Sequence, residues 1–442
     1  MRMRDGIYRI DKIEKIMRIT ISHIPLILSI LPVLISSCVF PISALELSEE
    51  KTIFVSDDTA SPKFVIDSGN IFILELYFDK YANKNKKQDD EWSRLYFYNI
   101  STDKLTELTF DDKANTRGSN PIAISGNTVY WTVNRDYRSY DADIRSYDVA
   151  SKSYNKLSVP PSCPNELAVQ DKTIALVATN FPDDIDGPDI CISTDGGANF
   201  KRYRQPGHQE GMKMSGNIVV YKDSRSSHSS NALNYLNIDT LESYQIGDEN
   251  KGVYTSPDIS GTNIVYRFDP DFSSFLKGPY DVNQELYMTD ISTNTTSLIA
   301  SPNARICSFA IDKDYIVWGD NRNKSNYKFY LYDLKDNKEY YVADINGEYG
   351  SAPQISKNII AWVDGVDNKK VVKIVTIHDE NYVDDDISGN SDTDDTDNTG
   401  NSDSTQPQNA DSQTASGEAV FIIAAVCTAL FAKALYQRRN GE

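Results

Sequence analysis

One acidic loop carries side chains that could bind a metal ion. In NFPDDIDGPD, Asp184, Asp186 and Gly187 match the third, fifth and sixth positions of an EF-hand calcium loop. Position one is Pro182, which has no side-chain oxygen, and position twelve is Ser193 instead of glutamate. The segment therefore predicts either a calcium site on Asp184 and Asp186 or a solvated acidic turn.

A second loop pattern begins where this one ends. The stretch STDGGANF fits S-x-D-x-G-x-x-F through Ser193, Asp195, Gly197 and Phe200. This pattern resembles the Asp-box repeats of sialidases, which lie in the turn between two outer strands and stabilise that turn. We therefore expect a structural role for it.

Aromatic and basic residues recur in the longer loops, where they could stack on sugars or anchor a protein partner. Each of them alone would suit ordinary loop packing. As a set on one rim they form the predicted contact surface, which comprises Tyr137, Arg138, Tyr140, Arg225, Phe272, Phe275, Tyr280 and Arg322.

No familiar catalytic motif occurs in the sequence. It has no GxSxG, no phosphate-binding loop and no HExxH, and His208, His228 and His378 lie far apart along the chain. We therefore predict that the protein is not an enzyme and uses no cofactor. An acid/base or metal cluster in a central channel would instead favour a carbohydrate-active enzyme, and a channel with only aromatic residues and scattered charges would favour binding.

Seven copies of one pattern must position these residues. Each copy reads P-x-I-S-G-N-x-I-V-Y/W, a variable loop, a strand such as L-Y-x-Y-D-I, a tight turn and a further strand. Four short strands repeated in this way are typical of a propeller blade, whose apolar faces need neighbouring blades to cover them. The first strands of the copies begin near Lys63, Pro121, Glu166, Met212, Pro257, Ser308 and Pro353. The sequence therefore predicts an all-β, seven-bladed β-propeller over residues 51–378.

The seventh copy has no convincing fourth strand before the chain becomes strongly acidic. The stretch KTIFVSDDTASP, residues 51–62, is similar to the fourth strands of other copies and leads directly into the first copy. We therefore expect this N-terminal strand to complete the seventh blade and to cover an edge that would otherwise be open to aggregation.

The repeat resembles the TolB-type, WD40-like propeller repeats of archaeal and bacterial envelope proteins. The likeness rests on the repeated P-x-I-S-G-N-x-I-V-Y and on the D-x-R elements at Asp223 to Arg225 and Asp320 to Arg322. Together with the terminal segments it is similar to archaeal cell-surface propellers, and the resemblance implies a binding or envelope-structure protein.

The segments outside the repeats predict export and membrane attachment. Basic residues precede the apolar run ISHIPLILSILPVLISSCVFPISA, so residues 1–45 predict a signal peptide cleaved after Ala44, a signal anchor or a lipoprotein signal modified at Cys38. Residues 379–418 contain 12 Asp or Glu and no Lys or Arg, which predicts a disordered stalk. Residues 419–436 predict a transmembrane helix, and Arg438 and Arg439 place the tail, 437–442, in the cytoplasm.

An exported protein can form disulfides and carry glycans. We predict a disulfide between Cys163 and Cys191, because they are the nearest pair outside the apolar ends. The sequons at Asn99, Asn294 and Asn323 are candidate glycosylation sites.

These observations together predict a cell-membrane protein with a single span and an extracellular propeller. The net charge of -19 argues against nucleic acid as a partner. We expect recognition, adhesion or an envelope-structure role, with a surface protein or glycan as ligand, through the long-loop face. The alternative is a carbohydrate-active propeller enzyme of the lyase or glycosidase type.

Overall fold

A computed structural model describes thirteen segments of the chain. They are residues 45–56, 61–76, 93–108, 121–134, 142–159, 163–179, 187–205, 207–224, 232–248, 251–270, 282–324, 326–346 and 352–379. All regular structure within these segments is β-strand. Nowhere in them does a helix have the length and apolar character needed to span a membrane. The predicted signal segment and transmembrane helix lie outside the described residues, as does nearly all of the predicted stalk.

Twenty-nine strands occur in chain order. Two short strands come first, followed by blades 1 to 3: β1 Glu46–Leu47, β2 Lys51–Val55, then β3 Ser61–Asp67, β4 Asn70–Leu76, β5 Ser93–Asn99, β6 Lys104–Leu108, then β7 Ile122–Ser125, β8 Thr128–Asn134, β9 Ala142–Asp148, β10 Ser153–Ser158, then β11 Cys163–Gln170, β12 Thr173–Thr179, β13 Asp189–Ser193 and β14 Lys201–Tyr203. Blades 4 to 7 follow: β15 His208–Ser215, β16 Ile218–Ser224, β17 Ala232–Asn237, β18 Ser243–Ile246, then β19 Val253–Ser260, β20 Asn263–Asp269, β21 Glu285–Asp290, β22 Thr295–Ala300, then β23 Ile306–Asp312, β24 Tyr315–Asp320, β25 Lys328–Asp333, β26 Lys338–Asp344, then β27 Gln354–Ser356, β28 Ile359–Val366 and β29 Lys369–His378.

The strands form seven antiparallel sheets, one for each predicted blade. In blades 1 to 6 the four strands follow one another in sequence order. In blade 7 both β1 and β2 pair with β29, so the N-terminal segment provides the outer strand in two pieces. The seven-bladed propeller and its closure by an N-terminal strand are therefore confirmed.

Apolar side chains fill the spaces between neighbouring blades. Seven buried clusters occur, and each combines strands of two adjacent blades. Between blades 6 and 7, for example, the rings of Phe329 and Trp362 lie 5.6 Å apart in an edge-to-face contact. Each blade thus buries its two faces against its neighbours, as the repeat predicted.

A ring of hydrogen bonds links all seven blades at the turns between first and second strands. In each blade the last residue of the inner strand accepts a hydrogen bond from a turn N–H of the next blade, and the donor residues have φ between 46° and 58°. The donor and acceptor pairs are Gly126 to Asp67, Asp171 to Ser125, Gly216 to Gln170, Gly261 to Ser215, Lys313 to Ser260, Lys357 to Asp312 and Ser68 to Ser356. The Ser-Gly pair of the repeat therefore joins neighbouring blades as well as forming the turn.

Removing one ring acceptor should have a modest effect. The Gly261 N–H donates to Ser215 Oγ at 2.9 Å. We expect Ser215→Ala to lower the free energy of unfolding by about 1 kcal/mol, because one exposed hydrogen bond is lost. Ser215→Thr keeps the hydroxyl group and should retain most of that stability in urea denaturation. Equal losses in the two variants would mean that the hydrogen bond does not contribute.

Candidate functional site

The inner strands of the seven blades surround a central channel with a cavity of about 680 Å³. Most of its lining is apolar or backbone, as expected where strand edges face an axis. The charged residues that line it are Lys63 of β3, Lys213 of β15 and Asp258 of β19. The channel lining therefore carries a net positive charge, although the whole chain is strongly acidic.

A β-bulge in blade 4 fixes a fourth titratable group beside the channel. The register of β15 shifts between Glu210 and Lys213, which frees the N–H groups of Gly211 and Met212 from the ladder. Both donate to the carboxylate of Glu166, in β11 of the neighbouring blade, at 2.8 and 2.5 Å. Glu166 is thus held in place by main-chain donors.

Asp258 occupies a comparable position between blades 5 and 6. Its Oδ2 accepts a hydrogen bond from the Ile311 N–H at 3.0 Å. Its side chain is half-buried, with part of its surface open to the channel. Burial raises the pKa of Asp258, and the charge of Lys213 and the main-chain donors oppose that shift. The protonated form of this carboxyl group is therefore favoured more than in water.

Burial also changes the titration of two other channel groups. It lowers the pKa of Lys63, since the charged ammonium loses hydration. It raises the pKa of Glu166, although the hydrogen bonds from Gly211 and Met212 and the charge of Lys213 act in the opposite direction. The channel thus brings together an amine favoured in its neutral form and carboxyl groups favoured in their protonated form, a combination suited to proton transfer.

The sequence analysis did not identify these channel residues, although the repeat contains a signal for them. Two positions before the ring acceptor, four blades carry an apolar residue and three carry a polar one. In blade order the residues are Val65, Ala123, Ala168, Lys213, Asp258, Ala310 and Gln354. A polar residue at a position that is apolar in the sister repeats marks a local departure from packing rules, and such departures cluster at functional sites.

Most of the predicted contact surface cannot be placed. Seven of its residues, Tyr137, Arg138, Tyr140, Arg225, Phe272, Phe275 and Tyr280, lie outside the described residues. Arg322 is described and is held within its own blade. Its guanidinium pairs with Asp320 and Glu339, each at 2.7 Å, and lies 3.8 Å from the centre of the Tyr330 ring. The D-N-R element therefore has a structural role at Arg322.

The Asp-box segment closes the turn between β13 and β14. Ser193 Oγ donates to Asp195 Oδ1 at 2.6 Å and accepts from the Gly197 N–H at 2.9 Å. The Asn199 N–H and Nδ2 both donate to the Asp195 carboxylate. Hydrogen bonds from Ser193 and Asn199 lower the pKa of Asp195 to about 2. The motif thus satisfies its own polar groups inside the turn.

The predicted disulfide between Cys163 and Cys191 is wrong. Cys191 is a free, fully buried thiol whose pKa is raised by burial to about 12. Cys163 pairs with Thr179 on one side of β12, and Cys191 pairs with Leu176 on the other. Two strands separated by a third lie about 10 Å apart, whereas a disulfide needs Cα atoms within about 7 Å.

The remaining predicted sites fall partly within the structure. Asp184 and Asp186 lie outside the described residues. Among the residues that are described, no three His, Cys, Asp or Glu side chains are grouped closely enough to hold a metal ion. The sequon residues Asn294 and Asn323 are exposed, whereas Asn99 is half-buried and its Oδ1 accepts from the Thr102 N–H at 2.9 Å.

Comparison with solved structures places the chain among β-propeller proteins. The β-propeller domain of the Trilobed protease from Pyrococcus furiosus superposes with a TM-score of 0.52 at 10% identity, covering 72% of this chain and 95% of that domain. An oligogalacturonate lyase in complex with manganese gives 0.50 at 12% identity, covering 75% of this chain and 98% of the lyase. The Pyrococcus horikoshii acylaminoacyl peptidase gives 0.50 at 10% identity over 70% of this chain and 49% of the peptidase.

The sequence matches no protein-family model and has no detectable similarity to a curated protein. At such low identities the likeness to solved structures establishes the fold alone. It nevertheless contradicts the prediction that the protein is not an enzyme, because these structural neighbours are enzymes or domains of enzymes. The chain spans about half the length of the acylaminoacyl peptidase and nearly all of the lyase. The manganese of the lyase has no three-residue ligand cluster to hold it in the described part of this chain.

Proposed function

We propose that this protein is a carbohydrate-active propeller enzyme, a lyase that cleaves an acidic oligosaccharide in the central channel. One observation carries the proposal: Lys63 and Asp258 line the same cavity, and burial lowers the pKa of the amine and raises that of the acid. Such opposite shifts suit a general base and a general acid acting together near neutral pH.

Elimination from a uronic acid unit uses this pair directly. The neutral amine of Lys63 takes the proton on the carbon next to the carboxylate, and a carbon–carbon double bond forms as the glycosidic carbon–oxygen bond breaks. The carboxylic acid of Asp258 gives its proton to the departing oxygen. The Lys213 ammonium, exposed to the channel, neutralises the substrate carboxylate while negative charge develops beside it.

A lyase is preferred over a glycosidase because of the groups available. Glycosidases generally use two carboxyl groups on opposite sides of the bond that breaks. Asp258 is the carboxyl residue that lines the cavity, and the neighbouring Glu166 is engaged by two main-chain donors. The single-chain oligogalacturonate lyase, almost all of which this chain covers, also supports the proposal.

The decisive experiment supplies the full-length protein with oligogalacturonate and, separately, with a neutral oligosaccharide of similar length. We expect ultraviolet absorbance from unsaturated uronide products with the acidic substrate and none with the neutral one. New reducing ends without that absorbance would indicate hydrolysis and contradict the lyase. Absence of any product from a panel of acidic oligosaccharides would contradict carbohydrate cleavage altogether.

We propose also that the enzyme is tethered to the cell membrane, with the propeller outside and the long-loop face presented to a surface glycan or protein. The apolar segment 419–436 followed by Arg438 and Arg439 supports this arrangement. Recovery of the protein from the membrane fraction only with detergent would support the tether. Release by salt or carbonate washing would contradict it.

A further inference from the structure

Arg267, in the second strand of blade 5, breaks the pattern of the repeat. Counted from the ring acceptor, its position holds an apolar, small or hydroxyl residue in five of the other blades: Leu74, Thr132, Val177, Gly319 and Val363. All five are buried. In blade 4 the position holds Lys222, whose Nζ pairs with Glu210 Oε1 at 2.6 Å.

The comparison between blades 4 and 5 shows what Arg267 lacks. Glu210 lies directly opposite Lys222 in the antiparallel ladder. The residue directly opposite Arg267 is Thr255, which carries no charge. The same cross-strand pair therefore contains a cation and an anion in blade 4, but a cation alone in blade 5.

The contacts of Arg267 leave its charge without a counterion in the described part of the chain. Its Nε donates to Thr255 Oγ1 at 3.0 Å and its Nη1 donates to the Ile306 carbonyl of blade 6 at 2.8 Å. It forms no ion pair with a described carboxylate, and the nearby Asp269 accepts a hydrogen bond from Gln284 Nε2 at 3.2 Å. Arg305 adds a second positive charge close to the first.

A guanidinium remains protonated when it is buried, so it cannot escape this situation by losing its proton. A desolvated charge without a partner is costly, and the neighbouring Arg305 increases that cost. The side chain is half-buried, which leaves part of its surface accessible. Its two observed hydrogen bonds use two of five N–H donors, and the remaining three are available for a planar anion.

We propose that Arg267, assisted by Arg305, forms a binding site for a carboxylate group in the seam between blades 5 and 6. The guanidinium fork matches a carboxylate in a bidentate arrangement, and the ligand supplies the negative charge that Glu210 supplies in blade 4. The site is separate from the channel groups and does not depend on the proposed lyase activity.

Binding of galacturonate, measured by calorimetry, tests the site. The protein used carries Lys63→Met and Lys213→Gln, which remove both ammonium groups of the channel, so that only the seam contributes. Sodium chloride at equal ionic strength controls for screening. We expect saturable binding of one galacturonate, weakened about tenfold to a hundredfold by Arg267→Leu, because charge-assisted hydrogen bonds are lost. Leucine occupies the same position in blade 1, so this variant should fold.

A second variant replaces the ligand with a side chain. Thr255→Glu places a carboxylate opposite Arg267, as Glu210 lies opposite Lys222. We expect it to abolish galacturonate binding and to raise the melting temperature of the unliganded protein. The matched control, Lys222→Gln, should bind as tightly as the parent protein. The proposal is overturned if the parent shows no saturable binding, or if Arg267→Leu and Thr255→Glu bind galacturonate as well as it does.

Discussion

Replacing Phe54 with alanine is expected to lower the free energy of unfolding by about 3–5 kcal/mol, the usual cost of removing a fully buried aromatic ring. Phe54 is 5% exposed and packs in the cluster between blades 7 and 1, with its ring centre 4.8 Å from that of Tyr96. Since domains are stable by only about 5–15 kcal/mol, this loss would bring the propeller close to unfolding.

Val55 provides the matched control because it follows Phe54 on the same strand but points outwards. It is 52% exposed, so Val55→Ala should change stability by less than about 0.5 kcal/mol. Deletion of residues 51–56 removes both side chains and leaves β29 without its main partner, so we expect an even larger decrease in melting temperature. Equal melting temperatures for the Phe54→Ala and Val55→Ala variants would show that β2 is not seated on blade 7.

The second large effect is expected on catalysis. If Lys63 and Asp258 act as base and acid, Lys63→Met and Asp258→Asn should each lower turnover of oligogalacturonate by about a hundredfold to ten-thousandfold. The double variant should be little worse than either single variant, because both groups serve one step. A bell-shaped pH profile of kcat/KM in the wild type should lose one limb in each single variant. Turnover within twofold of wild type in both would contradict these roles.

Stability measurements separate this effect from unfolding. A carboxyl group whose folded-state pKa is raised destabilises the protein when it ionises, so its cost appears as pH rises above the unfolded value. Asp258→Asn removes that cost, and the asparagine oxygen can still accept from the Ile311 N–H. We therefore expect its melting temperature at neutral pH to equal or exceed that of the wild type.

The architecture could be predicted from the sequence because each repeat states the same local instructions. Alternating apolar residues fix which faces are covered, and the Ser-Gly turns fix the register of the first hairpin. The closing strand was also predictable, since residues 51–55 resemble the outer strands of other repeats and no such strand follows β29. These features depend on short-range pattern, which one sequence displays fully.

The candidate site was not predictable by the same means. Lys63, Glu166 and Asp258 come from three different blades, and nothing in their sequence spacing indicates that they surround one channel. The prediction of a disulfide failed for a related reason, because proximity of Cys163 and Cys191 along the chain ignores the strand that lies between them. Arg267 could have been noticed by comparing the repeats, but its missing counterion is apparent only from contacts.

The pairing of β1 and β2 with β29 also determines the order in which the protein can fold. Residues 46–55 are synthesised before every blade, yet their partners are residues 369–378, more than three hundred positions later. Blades can form one after another as the chain emerges, but the first segment must wait for the last. This long-range pairing gives the fold a high contact order, so ring closure should be a late and slow step during which the seventh blade exposes an unpaired edge.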